Sequence, residues 1–146
     1  MLKKGKVLGI VPILGVLTHI LRGDKIDSPP CQSGNRSITI STDGRILACP
    51  IAVENKWAKL GEIKRDTWKT IRRIKIEEPC TKCKYYRYCG GRCLYAYKEK
   101  LWGENGFKKI CRLTQEFIEQ LSHIKEEVSK LIQDEIIIAE EIYYPK

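Results

Sequence analysis

The sequence predicts an α+β fold supported by metal, and three observations carry that prediction. An alternating stretch centred on Asp43-Gly44 reads as a β-hairpin, the C-terminal quarter repeats apolar residues at helical spacing, and seven cysteines crowd a chain of 146 residues. That length is about one domain, and 42% hydrophobic residues suffice to bury a core.

From the N-terminus, Lys3, Lys4 and Lys6 precede an apolar run from Val7 to Leu21, the outline of a secretory signal. The outline then fails, because Thr18 to Asp24 offers no small-residue cleavage site. Pro12 interrupts the run, which is also shorter than the roughly 20 residues a spanning helix needs. A buried strand or helix is therefore expected, with no export and no membrane partner. A cytoplasmic chain keeps its thiols reduced, so the cysteines are expected to bind metal, and a disulfide scaffold is disfavoured.

Residues 37–49, "SITISTDGRILAC", place Ile38 and Ile40 on one face, turn at Asp43-Gly44 and resume through Ile46 and Leu47. This predicts a tight hairpin with positive φ at both turn residues, leaving Cys49 at the end of a strand. Asp66 is placed to cap a short helix over 67–76, "TWKTIRRIKI", and Pro79 ends that region before a cysteine-rich loop. From Leu113, the residues Phe117, Leu121, Ile124, Val128 and Leu131 follow at spacings of four and three. They predict an amphipathic helix of about 20 residues whose stripe packs on the core. The tail from Glu135 can extend that helix or add a strand.

Cys80, Cys83, Cys89 and Cys93 fall within fourteen positions, as Cys80-x2-Cys83-x5-Cys89-x3-Cys93, with Cys31, Cys49 and Cys111 outside. Four thiolates suit structural zinc and iron–sulfur clusters alike. Lys82, Lys84, Arg87 and Arg92 stand between the ligands as counter-charges, and Gly90 and Gly91 would let the backbone approach a bound group closely. The formal charge is +9, and it is uneven: residues 1–111 carry 23 Lys/Arg against 10 Asp/Glu, residues 112–146 carry 4 against 8. A basic face rich in tyrosine (Tyr85, Tyr86, Tyr88, Tyr95, Tyr97) has the composition of a nucleic-acid surface. The same excess answers a cluster of thiolates, so nucleic acid is the less favoured partner. His19 and His123 have no metal-ligand partner at helical or loop spacing.

The whole pattern of seven cysteines and Gly44, with "DGRILACP", "KLGEI", "PCTKCKYYRYCGGRC" and "KICRLT" around it, resembles the SPASM domain. That domain is the seven-cysteine C-terminal extension of radical S-adenosylmethionine (SAM) enzymes that modify peptides and proteins. The resemblance covers about residues 29–115. It implies two auxiliary [4Fe–4S] clusters, one on Cys80, Cys83, Cys89 and Cys111, the other on Cys31, Cys49 and Cys93. The second has an iron left open or met by Asp24, Asp27, His19 or water. It also implies a peptide or protein substrate, an electron-donor protein, and a radical SAM barrel supplied in cis or in trans.

The departure from the family is equally specific. Radical SAM chemistry needs Cys-x3-Cys-x2-Cys, and three residues beyond Cys93 stands Ala96. SAM is therefore expected only in a full-length enzyme, and this chain alone is expected to have no catalytic residues and not to cleave SAM. Three segments are expected: residues 1–28, the remnant of a segment leaving a barrel, with its apolar face partly uncovered; 29–115, the cluster domain; and 116–146, a C-terminal helix and tail packed across both clusters. The alternative is a structural four-cysteine zinc module, on Cys80, Cys83 and Cys89 with Cys93 or Cys111, presenting a basic face to nucleic acid or protein.

Overall fold

A computed structural model of the protein describes residues 2–143, so the last three residues of the tail lie outside it. The apolar run near the N-terminus forms helix α1, Val11–Arg22. A proline in its first turn suits the fixed φ of that position, and Gly23, at φ 68°, ends it with a left-handed cap. Leu14, Leu17 and Ile20 recur every three residues and are buried.

The predicted hairpin forms as β1 (Thr39–Ile40) and β2 (Arg45–Leu47), antiparallel with Ile40 opposite Ile46. Its turn differs from the expectation. The Gly44 N–H bonds the carbonyl of Ser41, and positive φ occurs at Gly44 but not at Asp43. Asp43 instead bonds the side chains of Ser41 and Arg45 and the Arg45 N–H, so its carboxylate holds the turn without a left-handed backbone. A third strand, β3 (Lys59–Glu62), pairs with the other edge of β2, with an irregularity between Ile46 and Leu47.

The helix expected over 67–76 does not form. Only one turn closes, from Thr67 to Ile71. The Asp66 carboxylate accepts from the Glu62 N–H, and Thr70 Oγ1 accepts from the Thr67 N–H. Downstream the chain runs extended, with Arg72 N–H bonded to the Leu60 carbonyl and Ile74 N–H to that of Gly34. Ile71, Ile74 and Ile76 are all buried. Tertiary bonding to the sheet has overridden the helical spacing, as it can where propensity is weak.

The remaining helices are α2 (Tyr86–Cys89), α3 (Leu94–Glu99), α4 (Gly103–His123), α5 (Lys125–Gln133) and α6 (Ala139–Ile142). The predicted C-terminal helix thus starts ten residues earlier than expected and breaks at Ile124. Leu113, assigned to its buried stripe, is 62% exposed, whereas Phe107, Ile118, Leu121 and Val128 are buried. A segment boundary at 115/116 falls inside α4. The tail closes as the short helix α6 after Ile138, rather than as a strand.

Two kinds of core result. Ile46, Ala48, Leu60, Ile71, Ile74, Ile76, Leu94, Tyr97 and Phe107 pack around the sheet. Leu14 and Leu17 pack with Val128, Ile137 and Ile142, and Ile20 with Ile118 and Leu121. The apolar face of α1 packs against α4, α5 and α6, while the stretch of the same apolar run before it stays exposed at Leu8 and Ile10. Helix α4 belongs to both cores, through Phe107 at one end and Ile118 and Leu121 at the other. Cys111 lies between them. No helix among the described residues is long and apolar enough to cross a membrane.

Candidate metal centre

Four cysteines line one cavity of about 370 Å³: Cys80, Cys83, Cys89 and Cys111. Local backbone sets the first three. Cys80 opens a single 3-10 turn, Cys80–Lys82, closed by the Cys83 N–H bonding the Cys80 carbonyl at 2.9 Å. The Cys83 carbonyl accepts from the Tyr86 N–H at the start of α2, and Cys89 is the last residue of that helix, before Gly90 in a left-handed cap. Cys111 comes from the middle of α4, 22 positions after Cys89. Tyr85 hydrogen-bonds Glu119 of α4, which helps clamp the loop against that helix.

The thiols are electrostatically coupled. Burial pushes the Cys80 thiol above its ordinary range, the neighbouring Cys111 and Cys89 push it further, and Lys100 opposes them. Burial likewise raises Cys89, against an opposing hydrogen bond from the Gly91 N–H, while Cys83 and Cys111 raise it and Arg92 lowers it. Gln115 Nε2 points to Cys83 Sγ at 3.7 Å. Several sulfurs crowded together resist ionising unless cations or a metal compensate.

Cations from outside the cysteine-rich loop supply much of that compensation. Of the four lysines and arginines that the sequence places between the ligands, Arg92 alone lines the cavity. Lys82 is exposed and pairs with Glu78 at 2.9 Å, Lys84 lies 3.7 Å from Glu119, and Arg87 stacks over Tyr88. Lys100, Lys108 and Arg112 join Arg92 instead. Sequence reasoning passed over them because they follow the loop; the three-residue helical offset of Lys108 from Cys111, with Arg112 four residues after Lys108, is the signal that finds those two.

The two glycines also make room for other parts of the chain. Gly90 does not line the cavity: a Cβ there would overlap the carbonyl of Ser28. Gly91 does line it, but its missing side chain makes room for Ile76, whose atoms would stand 2.8–3.0 Å from a Cβ. Both glycines serve the packing of the loop against the rest of the chain.

Cys31, Cys49 and Cys93 lie elsewhere. Cys31 is exposed and bonds the Ser33 hydroxyl at 3.1 Å, Cys49 is 7% exposed among Ala52 and Ala58, and half-buried Cys93 precedes α3. Residues next to two of them nevertheless send side chains toward Gly34, three positions after Cys31. A Cβ on Gly34 would stand 2.8 Å from the Leu94 side chain and 3.4 Å from that of Ala48. None of the three lines the four-cysteine cavity. His19 and Asp24, candidates for an extra ligand, bond each other at 2.6 Å, and Asp27 bonds Ser28.

Among the described residues no three His, Cys, Asp or Glu side chains are grouped tightly enough to hold a single metal ion. One polar atom at the four-cysteine cavity is unmatched: Arg92 Nη2 is buried with no hydrogen-bond partner among the described residues.

No family model matches the chain, and no solved structure matches it. The chain is similar to the cysteine-type anaerobic sulfatase-maturating enzymes of two Clostridium perfringens strains, with 26% and 27% identity over 116 residues in each case. The match covers 72% of this chain, which spans 31% of the length of those relatives, so what is shared is a distant likeness to about a third of a larger enzyme.

Proposed function

We propose that this chain is an auxiliary iron–sulfur domain of the SPASM type, working with a radical SAM barrel on a peptide or protein substrate. Cys80, Cys83, Cys89 and Cys111 would hold one [4Fe–4S] cluster, and Cys31, Cys49 and Cys93 would supply three thiolates to a second. Such clusters carry electrons, and one with an open iron can also take a ligand. The chain's own part is to hold four thiolates at fixed spacing, to balance their charge with Arg92, Lys100, Lys108 and Arg112, and to seal one side with Phe107.

The observation that carries the reading is that thiols as far apart in sequence as Cys80 and Cys111 line one cavity, with Cys93 outside it. A zinc ion with Zn–S of about 2.3 Å would draw its sulfurs to about 3.8 Å of one another. A cavity of about 370 Å³ has room for a polynuclear group. The unpartnered Arg92 Nη2 supports the same fit, because a buried guanidinium donor without an acceptor costs about 1–3 kcal/mol or more, and cluster sulfurs are acceptors. The similarity to sulfatase-maturating enzymes supports a radical SAM-related role and a polypeptide substrate.

Anaerobic reconstitution with iron and sulfide tests the proposal. About eight iron and eight sulfide per chain are expected for two clusters, with Mössbauer parameters of the [4Fe–4S]2+ state. Stoichiometric zinc with no capacity for iron and sulfide would reject it in favour of a zinc module.

A further inference from the structure

We infer that Arg92, assisted by Lys100, sets the reduction potential of the iron–sulfur group held by Cys80, Cys83, Cys89 and Cys111. This rests on the reading above and adds a task for two side chains that the ligand pattern does not assign.

Four observations converge on these two cations. Both line the four-cysteine cavity. Both have left-handed backbones without being glycine, Arg92 at φ 63° and Lys100 at φ 47°. Such a conformation is uncommon at a residue with a side chain and is retained where the surroundings impose it. Both side chains face one aromatic ring, with Lys100 Nζ 3.9 Å and Arg92 Cζ 5.7 Å from the centroid of buried Phe107. Neither belongs to an ion pair among the described residues, and Arg92 Nη2 is also buried and unpartnered.

Their neighbours on the cavity differ in a way that matters electrically. Lys108, Arg112 and the carboxylate Glu104 are exposed, where water screens them. Arg92 and Lys100 are half-buried and uncompensated, so their field acts across a medium of lower dielectric. Reduction adds one electron from an external donor to the cluster and takes a four-thiolate [4Fe–4S] group from about −2 to about −3. A fixed nearby cation stabilises the more negative state. Removing it should lower the potential, even where all four ligands stay in place.

The experiment is an EPR-monitored reductive titration of the full, anaerobically reconstituted chain, after iron and sulfide have been counted. Arg92→Gln should retain iron and shift the reduction equilibrium of one cluster about tenfold against reduction, which is about 59 mV for a one-electron couple. Arg92→Lys, which keeps the charge, should recover most of that shift. Lys100→Gln should move the same cluster in the same direction by less. Lys82→Gln, adjacent to a ligand in sequence but away from the cavity, should leave the potential where it is.

Arg92→Gln and Lys100→Gln proteins with full iron content and wild-type potentials would overturn the inference. So would an Arg92→Lys protein shifted as far as Arg92→Gln, since shape rather than charge would then be responsible. Should Arg92→Gln fail to retain iron, Arg92→Lys and Lys100→Gln decide the matter by the same criteria. A wild-type chain that takes up no iron would show at the iron count and would reject the underlying reading along with this one.

Discussion

The two groups of cysteines are built differently. Cys80, Cys83, Cys89 and Cys111 share a cavity, and a long helix brings in the most distant of them. Cys31, Cys49 and Cys93 line no part of that cavity and differ in burial: one is exposed, one is buried among alanines and one is half-buried. The contrast teaches that sequence proximity is a poor guide to shared chemistry here. Cys89 and Cys93 are four positions apart, yet only Cys89 lines the four-cysteine cavity, whereas Cys111 lines it from another element.

The largest expected effect comes from breaking one group and leaving the other. Cys83→Ala and Cys111→Ala should each remove the same set of about four irons, and the double variant should remove no more than either alone. Cys31→Ala and Cys49→Ala should leave that set intact. Iron analysis with Mössbauer spectra checks this, and common damage from Cys89→Ala and Cys93→Ala would erase the distinction between the regions.

A smaller effect separates the glycines that shape each region. An Ala at Gly90 meets the Ser28 backbone, which cannot turn aside, so Gly90→Ala should cost about 3 kcal/mol or more. An Ala at Gly34 meets mainly the end of the Leu94 side chain, which can shift, and left-handed strain then leaves a cost of about 1–2 kcal/mol. Chemical denaturation of the metal-free proteins should rank them in that order; equal costs would mean that the Ser28 contact is not a constraint.

Acidity gives a subtler difference. Burial raises Cys80 and Cys89, so the folded metal-free chain keeps these protons to higher pH than the unfolded chain does. Their contribution to stability is complete below the ordinary thiol value near 9 and is lost as pH rises through the higher folded values. Denaturation midpoints of the metal-free chain should fall as pH rises above about 9, and fall less in Cys80→Ser with Cys89→Ser. An unchanged slope in that double variant would remove these two thiols as the cause.

The smallest effect concerns the hairpin that leads into the three-cysteine region. Hydrogen bonds from the Ser41 hydroxyl first, then from the Arg45 backbone and side chain, hold the Asp43 carboxyl down to about 2. Its stabilising contribution is present above the ordinary value of 3.8 and is lost as pH falls toward 2. NMR titration should show Asp43 moving upward in Ser41→Ala, with little change in stability because the group is exposed. A normal titration in the wild type would mean that the turn is held by Gly44 alone.

By itself, the sequence determined that the chain has a hairpin near Asp43-Gly44, an amphipathic C-terminal helix, an apolar N-terminal segment that is buried in part, and thiols whose spacing suits metal. Those features are written in local period and in residue chemistry, which need no partner to be read. Only the tertiary structure decided the rest. Residues 67–76 have helical spacing, but Leu60 and Gly34 offered their backbone N–H groups better acceptors than a helix would. β3 escaped notice because Lys59–Glu62 is too short to alternate, and its strand character comes from the edge of β2. Lys108 and Arg112 reach the cavity because Phe107 and Ile118 anchor α4 in two cores and hold the face around Cys111 over the loop, and Lys100 reaches it from the end of α3. Charge neutralisation depends on distance through space, and a sequence reports distance along the chain.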